Sequence, residues 1–511
     1  MREQGERNMR TIREILFNEK ELDIALIQPN FLMPILETDQ NQIVREYWKS
    51  MNNNEPLGDT PNEPNHGLFS LAASLRQAGY AVDVLDFQAY DRFLRETENR
   101  LITLEDIKAS ITKIRAKFFG ISTITVASEN ALSIAGIIKQ VHLEAKTIFG
   151  GMHPTLYGEH FIKNEEVDII IPGEGNQVIM DIAATNGSEE ELIEIDGIIL
   201  KDHNGSVITT KKRSCQHNQL DDLPYAAYDL ICQESLPLMP RVFSVRGCPF
   251  SCVFCSCNAF YNIAYDDYCV GIREPKKVVD EIEYLYNTYS IKFFCFGDLT
   301  FMTNKKQSHE ICNEIIKRGL NHISWWCQTT VGRLDLEDLQ LMKKAGCVQV
   351  GLGVENSSQD ALNLVGKPFG FETTEQQCRL IRQAGIDPIT YWMVGLGTEN
   401  FETSKNMIER ICYFIRNDLT ELSHIGVPVP YPGSMLWNTP EKYGLEIISR
   451  DFSNYWMNSD ELGYSLPAVR TKYLSPEHIY AIWQYALMAT AEEYRVRSLR
   501  RLNKGGLSNE Q

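Results

Sequence analysis

The chain has 511 residues, room for two or three domains at roughly 100 to 200 residues each. Its 50 Lys and Arg against 68 Asp and Glu leave a formal charge of −18, which argues against a nucleic-acid or anionic-membrane partner, since such affinity rests on clustered cations. The 13 cysteines are odd in number and none precedes Cys215, which excludes a disulfide scaffold. The N-terminus MREQGERNMR lacks the apolar run of a secretory signal, and no stretch reaches the about 18 apolar residues of a membrane span, so a reducing cytoplasm is the expected location.

In chain order, DIALIQ (23–28) is short and apolar and is closed by Pro29-Asn30, as a buried parallel strand would be. GLFSLAASLRQAG (67–79) has Leu68, Leu71, Leu75 and Ala78 at helical spacing and ends on a C-cap glycine. AVDVLDF (81–87) is the next strand. The alternation continues through FFGISTI, a helix over about 129–141, KTIFGG, a helix, VDIIIPGEG and a further helix. Five strands alternating with helices predict a doubly wound parallel sheet, whose ligands sit beyond the carboxyl ends of the strands. The residues at those ends are Asn30, Asn65, His66, Gly67, Ser122, Thr123, Gly150, Gly151, His153, Gly173, Glu174 and Gly175. Glycines admit close approach of a large ligand, although the Gly150 and Gly173 stretches also suit plain turns. No G-x-G-x-x-G follows the first strand, which disfavours a nicotinamide dinucleotide.

This succession, GLFSLAASLRQAGYAVDVLD, FFGISTIT, GGMHPT and VDIIIPGEG, resembles the cobalamin-binding domain that precedes many radical S-adenosylmethionine enzymes. The resemblance implies that the strand-end residues named above contact cobalamin. The D-x-H-x-x-G signature of histidine-ligating cobalamin domains is absent, and His153 follows the fourth strand rather than the first, so it is expected to be a loop contact and not an axial ligand.

RVFSVRGCPFSCVFCSC sets Cys248, Cys252 and Cys255 in a C-x3-C-x2-C array directly after a strand. Three thiolates hold three irons of a [4Fe-4S] cluster and leave the fourth iron open, whereas structural zinc normally takes four closed ligands. The spacing, Phe254 before the last cysteine, and the preceding Arg246-Gly247 resemble the radical S-adenosylmethionine superfamily, which implies that the open iron chelates S-adenosylmethionine. Cys257 is either a fourth ligand or a small residue packed in the loop. The other cysteines form no second array, and most sit in apolar runs and read as buried small hydrophobes.

IKFFCFG, SWWCQTT, VQVGLGVE, PITYWMVGLG and HIGVPVPYPG alternate with helices beyond the array and, with the strand before it, make six strand-helix units that fit a partial barrel with its active site at the carboxyl strand ends. Asp298, Gln328, Arg333 and Glu355 fall there. Glu355, in GLGVENSSQDAL, matches the family's glycine-rich strand end that faces the cofactor. Asp298 and Arg333 could equally be a helix cap and a solvated charge. GLGTE (395–399) departs from the family's glycine-proline-glycine-glutamate loop, which weakens a role for Glu399.

These readings divide the chain into an extension (1–20), a cobalamin-binding Rossmann-like domain (21–185), a linker with a hairpin turning at Asn204-Gly205 (186–235), a partial (β/α)6 barrel (236–440) and a mostly helical region (441–511). In the last, Ile479, Ile482, Tyr485, Ala486 and Ala489 share one side of a long helix that ends in Arg495, Arg497, Arg500 and Arg501. That basic run suits a capped surface helix better than a substrate site. Tyr455, Trp456 and Tyr464 are candidates to cover the substrate.

Taken together, the resemblances imply a [4Fe-4S] cluster, S-adenosylmethionine, cobalamin and an external flavodoxin- or ferredoxin-like electron donor. They imply methyl transfer from cobalt to a carbon radical of a small molecule or peptide. A cobalamin-dependent cyclisation or rearrangement shares every motif and is the alternative. A non-catalytic cobalamin sensor would leave the cysteine array unexplained. A tRNA methylthiotransferase would need N-terminal cysteines that the chain lacks.

Overall fold

In the computed structural model, which describes residues 9–30, 64–215, 217–367, 369–452, 455 and 466–506, the first half of the chain builds a seven-stranded sheet. Its strands are β1 (Lys20–Gln28), β2 (Val82–Asp86), β3 (Ile114–Ser122), β4 (Lys146–Gly150), β5 (Ile169–Ile171), β6 (Ile199–Lys201) and β7 (Val207–Thr209). The order is β2-β1-β3-β4-β5-β6-β7, with β1 to β5 parallel. The chain therefore reverses its winding between β1 and β3, which opens a crevice at their carboxyl ends.

The two-residue period of the strands separates two cores. Ile24, Leu26, Phe118, Ile148, Ile169 and Ile171 face one side, and Ala25, Ile27, Phe119, Ile121, Phe149 and Ile170 face the other. The first of these cores runs on without a break into the second half of the chain, so both halves bury apolar surface in common.

The hairpin expected within a linker instead belongs to the sheet. β6 pairs antiparallel with β5, and β7 with β6, because Ile199 and Leu200 are apolar and extend the buried layer past residue 185. Gly205 makes the turn at φ +79°.

The second half forms a six-stranded parallel sheet of β8 (Arg241–Val242), β11 (Phe293–Phe296), β12 (Ser324–Thr329), β13 (Cys347–Glu355), β14 (Asp387–Met393) and β15 (Leu422–Gly426), in that spatial order. Helices Pro275–Tyr289, Lys305–Lys317, Leu336–Lys344, Phe371–Gln383 and Phe401–Arg416 alternate with these strands, giving the partial (β/α)6 barrel. A short antiparallel ribbon, β9 (Val245–Arg246) with β10 (Gly271–Ile272), brackets the cysteine loop.

The C-terminal region is less uniformly helical than expected, since β16 (Leu445–Ile447) pairs with β17 (Val469–Thr471). Helix Pro476–Gly506 buries Ile479, Ile482, Trp483, Ala486 and Tyr494. Tyr485 is 60% exposed, because the buried face follows 479, 482/483, 486, 490 and 494 and leaves 485 outside it. Nor is the basic run a surface feature throughout. Arg497 is buried and donates to the Thr420 and Glu421 carbonyls at 2.6 and 2.8 Å, just before β15. Among the described residues no helix is long and apolar enough to cross a membrane.

Candidate functional site: two cofactor cradles joined at the cysteine loop

The cysteine loop leaves β9 at Arg246 and ends in helix Cys257–Ala264. Gly247 has φ +90°, and a Cβ there would collide with the Tyr268 hydroxyl, so only glycine fits. That hydroxyl accepts the Cys248 backbone N–H at 3.0 Å. Cys248 and Cys252 are half-buried and Cys255 is exposed, all as free thiols. Burial raises the Cys252 and Cys255 thiols, and the other loop cysteines raise them further, while Lys367 draws both down. Among the described residues no three His, Cys, Asp or Glu side chains gather as ligands of a single ion. Thiols that bind three different irons of one cluster have no need to converge on one point, and the donor set fits a [4Fe-4S] cluster with one open iron. Cys257 is buried, its thiol is pushed up to about 12 by burial, and its backbone N–H points at Cys255 Sγ at 3.4 Å. These are the traits of a packed residue that supports a ligand.

Asp298, beyond β11, accepts the Ser244 and Val245 N–H groups at 2.8 and 3.0 Å and also the Ser244 hydroxyl. It thus pins the segment that enters the cysteine loop and caps no helix. Burial pushes its carboxyl up to about 6 against these hydrogen bonds.

Glu355 ends β13 with φ +65°, a conformation rare for a residue with a side chain. It pairs with Lys367 at 3.0 Å, both side chains nearly buried, and burial raises its pKa while Lys367 lowers it. Lys367 also lies 5.9 Å from the Phe254 ring centroid. Arg333 sits 5.4 Å from the Phe250 ring centroid, over the cysteine loop, and Gln328 is half-buried near the end of β12. Arg333 and, through Lys367, Glu355 therefore flank the loop that carries Phe254. Lys367 went unmarked in the sequence, because a lone Lys in VGKPF has no periodicity or spacing to single it out. Glu399 is buried and accepts from Asn356, Gly395 and Ser404, so it is a structural pin.

At the carboxyl edge of the first sheet, Asn65 caps helix His66–Gln77 and also donates to Gln28 and, at 3.5 Å, to the Ser122 hydroxyl, tying the ends of β1 and β3 together. Thr123 donates its N–H to Gly150 O at 2.9 Å and accepts from His153 N at 3.3 Å. Gly151, at φ +95°, leaves a Cβ no room beside Thr123 O at 2.9 Å. Gly173 N–H is held by the Thr155 hydroxyl at 2.9 Å. Two buried polar atoms here lack partners, Asn30 Oδ1 and His153 Nδ1. Burial lowers the His153 pKa to about 4, so its ring is neutral at pH 7, and it packs 4.7 Å from the Phe452 ring. A crevice whose rim carries orphaned buried polar atoms fits a large ligand rimmed with amides, such as cobalamin.

Two of the strand-end residues face the barrel. His66 meets the Tyr228 hydroxyl at 3.0 Å and lies 4.9 Å from the Phe243 ring, with burial lowering its pKa to about 3. Glu174 pairs with Arg246 and His217, each at 3.2 Å, and although burial raises its pKa these partners hold it below the usual carboxylate value. Tyr455 is buried near Tyr431 and Phe452, while Trp456 and Tyr464 lie outside the described residues.

Residues 60–183 match the family model of the B12 binding domain, and residues 242–411 match that of the radical SAM superfamily. The chain therefore carries a B12-binding domain followed by a radical SAM domain. It is 29% identical over 408 residues to the anaerobic magnesium-protoporphyrin IX monomethyl ester cyclase of Rubrivivax gelatinosus, covering 77% of this chain and 69% of that one. It is 27% identical to the uncharacterized methyltransferase PH0819 of Pyrococcus horikoshii, covering 73% and 78%. In fold it is similar to the radical S-adenosylmethionine methyltransferase TsrM from Kitasatospora setae, solved with cobalamin and a [4Fe-4S] cluster, at a TM-score of 0.66, 17% identity and coverage of 92% and 91%. The radical SAM domain implies the cluster and S-adenosylmethionine, and the B12-binding domain implies cobalamin.

Proposed function

We propose that the protein is a cobalamin-dependent radical SAM enzyme that methylates an unactivated carbon of a small molecule or peptide, in the cytoplasm, with electrons from a flavodoxin- or ferredoxin-like donor. The observation that carries this reading is the direct meeting of the two cradles, where the loop after β5 touches the residue that leads into the cysteine loop. When bound, the cluster and S-adenosylmethionine supply hydrogen abstraction from an unreactive carbon, and cobalamin supplies a transferable methyl group.

The protein then contributes positioning and exclusion of water. Cys248, Cys252 and Cys255 hold the cluster. Phe254, Gln328, Arg333 and Glu355, joined by Lys367, bind S-adenosylmethionine, with Arg333 and Lys367 the cations beside the loop. Asn30, Asn65, Ser122, Thr123, Gly150, Gly151, His153, Gly173 and Gly175 line the cobalamin crevice. Phe452 and Tyr157, 5.2 Å apart beside His153, form an apolar wall on that side.

Ring closure without methyl transfer is the second reading, favoured by the likeness to the Rubrivivax cyclase. Anaerobically reconstituted protein given S-adenosylmethionine and a strong reductant is expected to release both 5′-deoxyadenosine and S-adenosylhomocysteine. Release of 5′-deoxyadenosine alone favours ring closure, and absence of bound iron would overturn both.

A further inference from the structure

The loop after β5 and the cysteine loop meet in a closed ring of contacts. Glu174 Oε1 accepts from Arg246 Nη1 at 3.2 Å, and its Oε2 faces His217 Nε2 at 3.2 Å. His217 is buried, its Nδ1 lies 2.7 Å from Cys269 O, and its ring meets Tyr261 edge-on at 5.3 Å. Tyr261 stacks on Tyr268, with centroids 4.6 Å apart and planes 6° from parallel. The Tyr268 hydroxyl holds the Cys248 N–H, which returns through Gly247 to Arg246. A second seam runs beside this ring. The Tyr265 hydroxyl accepts the Glu174 N–H at 3.1 Å, and a Cβ on Gly173 would collide with Ala264, in the helix that follows the cysteines.

Both carboxylate oxygens of Glu174, a residue of the B12-binding domain, are thus engaged from outside that domain, one by Arg246 of the barrel and the other by His217 of the segment between the two. We propose that Glu174 is a positioning residue that fixes the cysteine loop, and the cluster it carries, relative to the cobalamin crevice. The inference rests on the reading that both cofactors bind. Its physical basis is the steepness of reactivity with distance, since a misplacement of about 1 Å costs on the order of 100-fold in rate. A carboxylate shared between Arg246 and His217, on two separate segments, holds the loop from two directions, and the Tyr265 contact fixes the carboxylate's own backbone.

The test is a distance measurement on anaerobically reconstituted holoprotein. Iron and cobalt contents are determined, and pulsed electron paramagnetic resonance then reads the separation between the reduced cluster and cob(II)alamin. Glu174→Ala is expected to bind both cofactors at wild-type stoichiometry with a broadened distance distribution. Glu174→Gln, which still accepts from Arg246, should restore the narrow one. A wild-type distribution in Glu174→Ala overturns the proposal. So does loss of cobalamin with an unchanged distribution in the remainder, which makes Glu174 a cobalamin contact. Should Glu174→Ala not fold, Arg246→Gln is expected to broaden the distribution, and an unchanged one overturns the inference. A wild-type protein that takes up no cluster or no cobalamin refutes the function itself, and the two failures are told apart by the metal contents.

Discussion

Asp298 holds a proton that an ordinary aspartate gives up. Its carboxyl titrates at about 6 in the fold against an ordinary 3.8, because burial outweighs the hydrogen bonds from Ser244 and Val245. A raised folded pKa stabilises the fold fully below the unfolded value and loses that contribution as pH rises through the folded one. Relative to Asp298→Asn, wild-type stability is therefore expected to fall by on the order of 2 to 3 kcal/mol between about pH 4 and pH 6 and to stay level above. Urea denaturation at stepped pH measures this, and parallel curves for the two proteins would refute it. At the cluster, Cys252→Ala is expected to lose iron and all reductive cleavage of S-adenosylmethionine, and iron analysis with 5′-deoxyadenosine detection checks both. Retained cleavage would sink the radical mechanism. The array itself is legible in the sequence because its three cysteines lie within eight residues of one another. What holds it in place is not, since Asp298, Glu174 and Tyr268 act on Ser244, Arg246 and Cys248 from 54, 72 and 20 residues away. No local pattern encodes such pairings, and a strand-end acid reads alike whether it meets a ligand or a neighbouring loop.

Charge anchors the C-terminal part of helix Pro476–Gly506. Arg497 and Arg501 converge with Arg382 on Glu421 at 3.0, 2.9 and 2.6 Å, and although burial raises the Glu421 pKa, these three cations bring it to about 2. Removing the carboxylate leaves the buried Arg497 with only Asp418, at 3.8 Å, as countercharge. Glu421→Ala is expected to destabilise the fold by about 3 to 5 kcal/mol, read as a lowered urea midpoint, and a change within experimental scatter would refute the anchoring role. The helix itself is readable from its apolar spacing, but the basic run resembles an ordinary C-terminal cap because its partners sit far back in the chain, beside β15. The same limit applies to the β6–β7 hairpin. Asn204-Gly205 announces the turn, yet the pairing of Ile199 with Ile170 joins segments that share no local signal. Strands and helices whose order is set by periodicity are legible, whereas membership of a sheet edge is decided by which apolar face remains to be covered.

The two halves of the molecule bury a common core that runs from Ile24 and Phe118 to Phe294, Trp325 and Trp392. Domains that share so much apolar surface are expected to unfold together. In the apoprotein, calorimetric and van 't Hoff enthalpies should agree across a single transition, and two resolved transitions would show that the halves are independent. A common core also gives the cofactor cradles one rigid frame, which suits chemistry that depends on their separation. The C-terminal helix has a further consequence when the protein is made. Chains emerge from the ribosome amino end first, and domains fold in that order. The B12-binding sheet is complete by Thr209, whereas the contacts of Trp483 with the Ile425 carbonyl, and of Tyr494 with the Ser423 N–H, wait until those later residues have been synthesised. Until then β15 is an open edge beside buried aromatic residues, and the nascent barrel is the stage at which a chaperone has most to protect.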